Sequence, residues 1–299
     1  MYPSITITIP VYNNIATVSA AIESAINQKF DKSYNIIIVD NGSTDGSSEV
    51  MLQYSDRCEI YKHKTTIPIW SNHNACLKYS KTKFTLILHA DDILNPTALK
   101  SFNKALSRCE DTTNTIIWGR STFYDYYYHL DREGVKLNNT FKGKKAGDTF
   151  KFGGLTSSGT LYPSKFLKIG GFLEMPSSYM PSDLFSMLKA VDHNLNFIMC
   201  SDNILIRSQS STLEAAQLTQ KEYQKYIYDA FLIYLGQLSF SQRKNFITQY
   251  YNVPFDKIPN YIGTYLYREI SFNFYYYILK SGICNPIKTI KFLKRWLKS

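Results

Sequence analysis

The residues best suited to chemistry in this 299-residue chain are carboxylates, and they stand in two places. Asp40 directly follows the run Ile36-Ile37-Ile38-Val39, and Asp91-Asp92 follow the apolar segment 84–88. If both runs are parallel strands, both acidic positions lie at carboxyl ends, where open α/β sheets bind ligands. A carboxylate cleft without a Cys or His cluster suits a hard cation such as Mg2+ or Mn2+, of the kind that bridges a nucleotide diphosphate. The loop Asn41-Gly42-Ser43-Thr44-Asp45-Gly46-Ser47 after Asp40 is rich in residues that accept positive φ. No G-x-G-x-x-G follows the first strand, and no G-x-x-x-x-G-K-[ST] occurs. That argues against dinucleotide redox chemistry and against an ATPase.

The elements that must position these acids are legible. Ile5-Thr6-Ile7-Thr8-Ile9 alternates with period 2 and predicts a strand ended by Pro10. Val18, Ala21, Ile22, Ala25 and Ile26 recur at helical spacing after an Asn13 or Asn14 cap. The β-branched run 36–39 reads as a strand buried on both faces. Strand, helix and strand within about 40 residues make a βαβ unit and a parallel sheet. The unit repeats with a weak strand at 59–63, a helix near 72–80 and a strand at 84–88. Further short strands are expected at 115–119, 196–200 and 203–206.

Composition bounds the reading. Apolar residues make up 44% and charged residues 19%, which excludes a mainly disordered chain. No apolar run reaches 18 residues, so no transmembrane helix is expected. Met1-Tyr2-Pro3-Ser4 has no charged or apolar leader character, so no signal peptide is expected. Five scattered cysteines without metal-ligand spacing read as reduced structural thiols of a cytoplasmic protein. Net charge is +10, of which +7 lies after residue 213, as do twelve of the 24 tyrosines. This shift divides the chain into a catalytic domain, 1–213, and a basic, aromatic-rich helical region, 214–299.

Three segments together resemble the family 2 glycosyltransferases, inverting enzymes of the GT-A fold. They are Pro10-Val11-Tyr12-Asn13-Asn14, Val39-Asp40-Asn41-Gly42-Ser43-Thr44-Asp45-Gly46-Ser47 and Leu88-His89-Ala90-Asp91-Asp92. The resemblance covers roughly residues 3–210 and implies a Rossmann-like, mostly parallel sheet flanked by helices. It implies a UDP-sugar donor and a glycan or polyprenyl-diphosphate-linked acceptor, as in enzymes of bacterial O-antigen or capsule synthesis. By the same resemblance, the turn at Pro10, Tyr12 and Asn13 lies against the nucleobase. Asp40 contacts base or ribose, Asp45 orders its loop, and Asn72 belongs to a helix facing the ribose. Ala90 and Asp91 fall in the D-x-D element, with Asp91 and Asp92 as ligands of Mn2+ or Mg2+. Gly170-Gly171-Phe172 followed by Ser182-Asp183 resembles the G-G-F…E-D element and makes Asp183 the general base. Leu205-Ile206-Arg207-Ser208-Gln209 resembles the late segment that closes over the diphosphate, with Arg207 as its cation.

Three positions depart from that pattern. His89 replaces the first acid of D-x-D and leaves a metal one carboxylate fewer. Ser182 replaces the Glu of E-D. Gln209 stands where a His is expected, and a neutral amide brings no charge to a phosphate. The chemistry implied is direct displacement: Asp183 removes the proton of an acceptor hydroxyl as it attacks, and cation and donors stabilise the departing UDP.

Plainer roles stand beside these. Asp40 could cap a turn, Asp91 and Asp92 could cap the helix that Pro96 starts, and Asp183 could cap the helix containing Leu184, Met187 and Leu188. His89 reads as a packed or hydrogen-bonded histidine more readily than as a ligand. Trp70 and Tyr126-Tyr127-Tyr128 read as packing. Near the C-terminus, Lys288, Lys291, Lys294, Arg295 and Lys298 fall within an arc of about 120° opposite Phe292 and Trp296. This is the pattern of a helix lying on an anionic membrane, which would place the protein peripherally on the inner face of the cell membrane. The same helix could pack on its own domain. A nucleotidyltransferase of similar fold would need a Gly-rich basic loop after the first strand, and residues 10–17 hold no Gly, Lys or Arg. A non-catalytic sugar-nucleotide binder is the other alternative. Nucleic acid is not an expected partner, because the motif cleft is acidic and the basic residues cluster in the tail.

Overall fold

The computed structural model describes residues 4–124, 156–178, 180–208 and 219–242. The chain divides into two compact units, one of residues 1–178 with 182–213 and one of 214–299 with 179–181. Among the described residues, the first unit holds a mixed eight-stranded sheet flanked by helices, the α/β architecture that the strand–helix–strand rhythm predicts.

Its parallel block consists of β1 (Ile5–Val11), β2 (Asn35–Asp40), β3 (Glu59–Lys62) and β4 (Phe84–Ile87), side by side in the order β3-β2-β1-β4. Helices α1 (Val18–Ile26), α2 (Ser47–Leu52) and α3 (Ile69–Tyr79) connect these strands. Past β4 the sheet continues through β7 (Thr160–Pro163), β6 (Thr115–Tyr124), β8 (Asn196–Ser208) and the two-residue β5 (Ile93–Leu94). There β7 is antiparallel to both its neighbours, and β6 is parallel to β8.

The hydrophobic pattern explains the layers. Ile5, Ile7, Ile9 and Val11 of β1 pack with Val18, Ala21, Ile22 and Ala25 of α1, and with Leu99 and Phe102 of α4 (Ala98–Leu106). On the opposite face Ile37 and Val39 pack with Cys76 of α3. Both faces of β1 are buried, because Thr6 and Thr8 also have no exposed surface. Their hydroxyls are hydrogen-bonded, Thr6 to Thr82 and Thr8 to the Leu86 carbonyl. Cys58, Cys76 and Cys200 are buried and free, and burial raises each of their pKa values, that of Cys58 to about 11.

Five boundaries differ from the sequence expectation. Pro10 lies inside β1, paired with Val39. The Val11 carbonyl accepts from Asn41 on the β2 side, and the Thr8 carbonyl accepts from Leu88 on the β4 side. Pro10 therefore turns its missing N–H toward β4, which has already ended at Ile87. The two short strands expected at 196–200 and 203–206 form one strand, β8, whose pairing with β6 shifts register around Arg120. Gly119 lets the strands stay close there, since a Cβ would fall 1.8 Å from Ile204. Helix α3 starts at Ile69 with Pro68 at its N-cap, and the N-cap position of α1 is Thr17, which makes no side-chain cap bond, instead of Asn13 or Asn14. The N-cap position of α4 is Thr97, without a side-chain cap bond, so Asp91 and Asp92 do not cap it.

In the second unit helix α7 spans Gln220–Gln237. Thr219 and Glu222 form its capping box. Ile227, Ala230, Phe231, Tyr234 and Leu235 recur at helical spacing as its buried stripe.

Candidate active site

Loops at the carboxyl ends of β1, β2 and β4 build the site. Asn13, at φ +51°, and Asn14 follow β1 and interlock with the loop after β2. The Asn13 amide donates to the Ser43 hydroxyl, while the Thr44 amide donates to the Asn13 side chain. The Asn14 amide donates to Ser47, and Asp45 accepts from the backbones of Ile15 and Ser47. The result is a rigid rim carrying Tyr12, half exposed, above buried Pro10.

Asp40 anchors the rim from below. It is almost fully buried, and its oxygens accept from the Ser43 amide at 2.8 Å and the Ser48 hydroxyl at 2.5 Å, with Lys62 at 3.6 Å. Burial works against its charge, but Ser48, Ser43 and Lys62 together hold the carboxyl below its usual value. The turn-capping role is thus what Asp40 visibly performs. Beside it Asn41 binds the Ile67 backbone in both directions, at 2.8 and 3.0 Å.

The acidic cluster follows β4. Ligand atoms of His89, Asp91 and Asp92 all lie within 4.8 Å of one another. Asp92 is buried, and its carboxyl is pushed up by burial and by Asp91, against the pull of His89, Ser158 and Arg207. Arg207 of β8 lies 4.0 Å from Asp92. Helix α6 (Ser182–Asp192) brings Asp183 to the same region. Its carboxyl is raised by burial, partly offset by the Leu184 N–H, which donates at 2.8 Å, and by nearby His89 and Arg207. Asp183 lies within the first turn of α6 instead of capping it. Tyr162 of β7 is fully buried, and the Asp183 charge adds to the burial that raises its phenol.

Helix α3 ties this cluster to the G-G-F turn, which precedes α6 and follows α5 (Ser164–Lys168). Asn74 accepts from the Phe172 amide at 2.8 Å and donates to the Phe172 carbonyl at 2.9 Å. Glu174 accepts from Ser71 at 2.6 Å and from Asn74 at 3.2 Å. Ser182, at the position of the missing Glu, is a structural hydroxyl: it donates to the Leu173 carbonyl and pairs with Ser186. Gly171 sits at φ +55°, where a Cβ would lie 2.3 Å from the Asn74 amide oxygen. Gly171→Ala is therefore expected to lower stability by about 1–3 kcal/mol. Urea unfolding should show a lower midpoint at unchanged slope; an unchanged midpoint would mean that the clamp yields freely.

The structure brings together Asp91, Asp92, Arg207 and Asp183, with Ala90 buried between His89 and Asp91. Pro10, Tyr12, Asn13 and Asp40 lie on the neighbouring rim. Asn72 is buried on α3, with its side-chain oxygen unbonded among the described residues. Trp70 packs against Phe172 and His73, as expected of a packing residue. Gln209 and Tyr126-Tyr127-Tyr128 lie outside the described residues. Sequence reasoning missed Ser157, Ser158 and Tyr162, which carry no motif. It also assigned no role to His73, the residue after Asn72.

Comparisons place this geometry. Over 147 residues the chain is 33% identical to an uncharacterized glycosyltransferase of Rickettsia bellii, covering 46% of this chain and 21% of that protein. It is 33% identical over 100 residues to the poly(ribitol-phosphate) beta-glucosyltransferase of Bacillus spizizenii, covering 32% of this chain and 16% of the other. The matched segment thus spans about a fifth of the length of these curated relatives. The crystal structure of S. aureus TarS 1-349 in complex with UDP superposes with a TM-score of 0.59 at 15% identity, covering 93% of this chain and 88% of that one. A structure of the same TarS segment with UDP-GlcNAc gives 0.59 at 13% identity. The mixed, mostly parallel sheet is therefore of the GT-A type. The description Glycosyl transferase family 2 matches residues 6–169, more than half of the chain, and the chain belongs to that family.

Proposed function

We propose that the chain transfers a sugar, with inversion, from a UDP-sugar to a hydroxyl of a glycan or polyprenyl-diphosphate-linked acceptor in bacterial surface-polysaccharide synthesis. The observation that carries this reading is the placement of Asp183, a half-buried carboxyl in the first turn of α6, near His89 and Arg207 of the acidic cluster, with its proton affinity raised. A raised carboxylate is a better base, and inversion requires one base with no covalent intermediate. The likeness to a structure holding UDP-GlcNAc and to a poly(ribitol-phosphate) beta-glucosyltransferase supports the donor class and the polymer context.

Each residue has a part. Tyr12 and Asn13 on the rim receive the base, with Pro10 beneath and Asp40 holding the rim's shape. Asn72 faces the ribose. The backbone at Ala90 carries Asp91 to the diphosphate, and Arg207 adds positive charge there. One imidazole and two carboxylates within 4.8 Å fit a divalent cation, Mn2+ better than Mg2+. When bound, that cation neutralises charge on the departing diphosphate. Asp183 holds the acceptor hydroxyl and takes its proton.

Incubation with a panel of UDP-sugars and short glycan acceptors, with and without Mn2+, should yield UDP and a product of inverted anomeric configuration. Nucleotidyl transfer from a nucleoside triphosphate to a sugar phosphate would favour the alternative class instead.

No described helix is long and apolar enough to cross a membrane. The basic stripe of residues 286–299 lies outside the described residues, and its proposed role is docking on anionic lipid. Each Lys or Arg there contributes about 1 kcal/mol. Liposome sedimentation should rise with anionic lipid content and fall on truncation after Asn285. Equal sedimentation of the truncated protein would assign the stripe to packing.

A further inference from the structure

Two histidines form a directed hydrogen-bond chain that ends at the acidic cluster. His73, on α3, is almost fully buried between Trp70 and Phe172, with ring centroids 5.0 and 5.6 Å away. Its Nδ1 lies 2.8 Å from the Ile69 carbonyl. A carbonyl only accepts, so Nδ1 carries a proton. A second proton there would strand a charge between two apolar rings, a cost that burial imposes on any unpaired ion. His73 is therefore neutral, and its Nε2 is a bare lone pair.

That lone pair faces Nε2 of His89 at 3.1 Å, with the two rings perpendicular. His89 must donate to it, so its proton sits on Nε2, shared with the Ser157 hydroxyl at 2.8 Å. Ser158 holds the His89 backbone N–H at 3.0 Å. With that proton on Nε2, the ring's lone pair is left on Nδ1. We propose that His73 is a positioning residue that locks His89 with its proton on Nε2, so that His89 offers Nδ1 to a divalent cation together with Asp91 and Asp92.

This rests on the metal reading of the site and revises the plain packing role expected for His89. The replaced acid of D-x-D then becomes a nitrogen ligand, and its outer-shell acceptor is a second, neutral imidazole instead of the usual carboxylate or carbonyl. A nitrogen ligand moves preference from Mg2+ toward Mn2+, Co2+ or Zn2+.

Two measurements on the full chain test the assignment. In the metal-free protein, long-range proton–nitrogen correlation spectra should show unprotonated Nε2 in His73 and unprotonated Nδ1 in His89. A protonated Nδ1 in neutral His89 overturns the proposal without reference to any metal. With Mn2+ and UDP bound, pulsed electron paramagnetic resonance should show a nitrogen coupling that vanishes in His89→Gln. Bound Mn2+ without that coupling overturns the inference and leaves the metal reading standing; failure to bind Mn2+ at all removes both. His73→Phe keeps the ring volume but offers no acceptor, and should weaken Mn2+ binding about 10–100-fold at unchanged metal-free UDP affinity. His73→Gln, which restores an acceptor oxygen, should recover most of it. Wild-type Mn2+ affinity in His73→Phe would show that His73 does not set the ligand. If that variant does not fold, the wild-type spectra alone still decide.

Discussion

Asp183→Asn should lower sugar transfer by about 10²–10⁴-fold, with UDP affinity unchanged. The amide keeps the shape of the carboxyl and cannot accept the hydroxyl proton, while the nucleotide binds elsewhere along the rim. Calorimetry with UDP checks the second half; a collapse of UDP affinity would make Asp183 structural. The same variant carries a stability signature. The folded-state pKa of Asp183 is raised above its ordinary value by burial. The folded state therefore binds that proton more tightly than the unfolded one. The stability contribution is full below the ordinary carboxylate range and is lost as pH rises through the folded value. Activity runs the opposite way, because the base must be ionised. The acidic limb of kcat/KM should thus lie above the usual carboxylate range, and Asp183→Asn should melt higher than wild type at neutral pH. A lower melting temperature would contradict the burial of an unfavourable charge.

Asp91→Ala should weaken UDP binding at least tenfold, about 1.4 kcal/mol, when Mn2+ is present, and leave it unchanged in EDTA. The motivation is the position of Asp91 within 4.8 Å of ligand atoms on His89 and Asp92. Equal UDP affinity in variant and wild type with Mn2+ would remove Asp91 from the metal bridge. Transfer that survives EDTA in the wild type would show that Arg207 suffices for the leaving group.

The parallel block was legible because its strands announce burial locally: the run 36–39 is apolar on both faces, and 84–88 nearly so. Both acidic positions then followed from the rule about carboxyl ends. Pro10 was misplaced because its tolerance depends on where a neighbouring strand stops, which no local pattern carries. The role of Asp40 was left between ligand and turn cap, since both need a carboxylate at the same place. Only the Ser43, Ser48 and Lys62 contacts distinguish the capping role. Asn74 and Phe172 are 98 positions apart, His73 and His89 sixteen, and Ser157 comes from yet another segment. Such pairings exist only once α3 has docked on the sheet. Ser182 was noted as a departure, but its hydroxyl bonds to Leu173 and Ser186 had no signal in the chain.

Helix α3 carries three consecutive residues with three different duties. Asn72 is buried, His73 reaches the acidic cluster and Asn74 grips the G-G-F turn. Consecutive helical residues point about 100° apart, so the three directions are set by one rotational phase. Inserting or deleting a single residue between Ile69 and Asn74 would swing every later side chain by that angle. The lone pair at His89 and the grip on Phe172 would be lost together, even with composition and hydrophobicity unchanged. Residue spacing along this helix is therefore a stricter requirement than the identity of its exposed positions. In a library of length variants, α3 should behave as an indivisible unit while the loop before Pro68 absorbs changes.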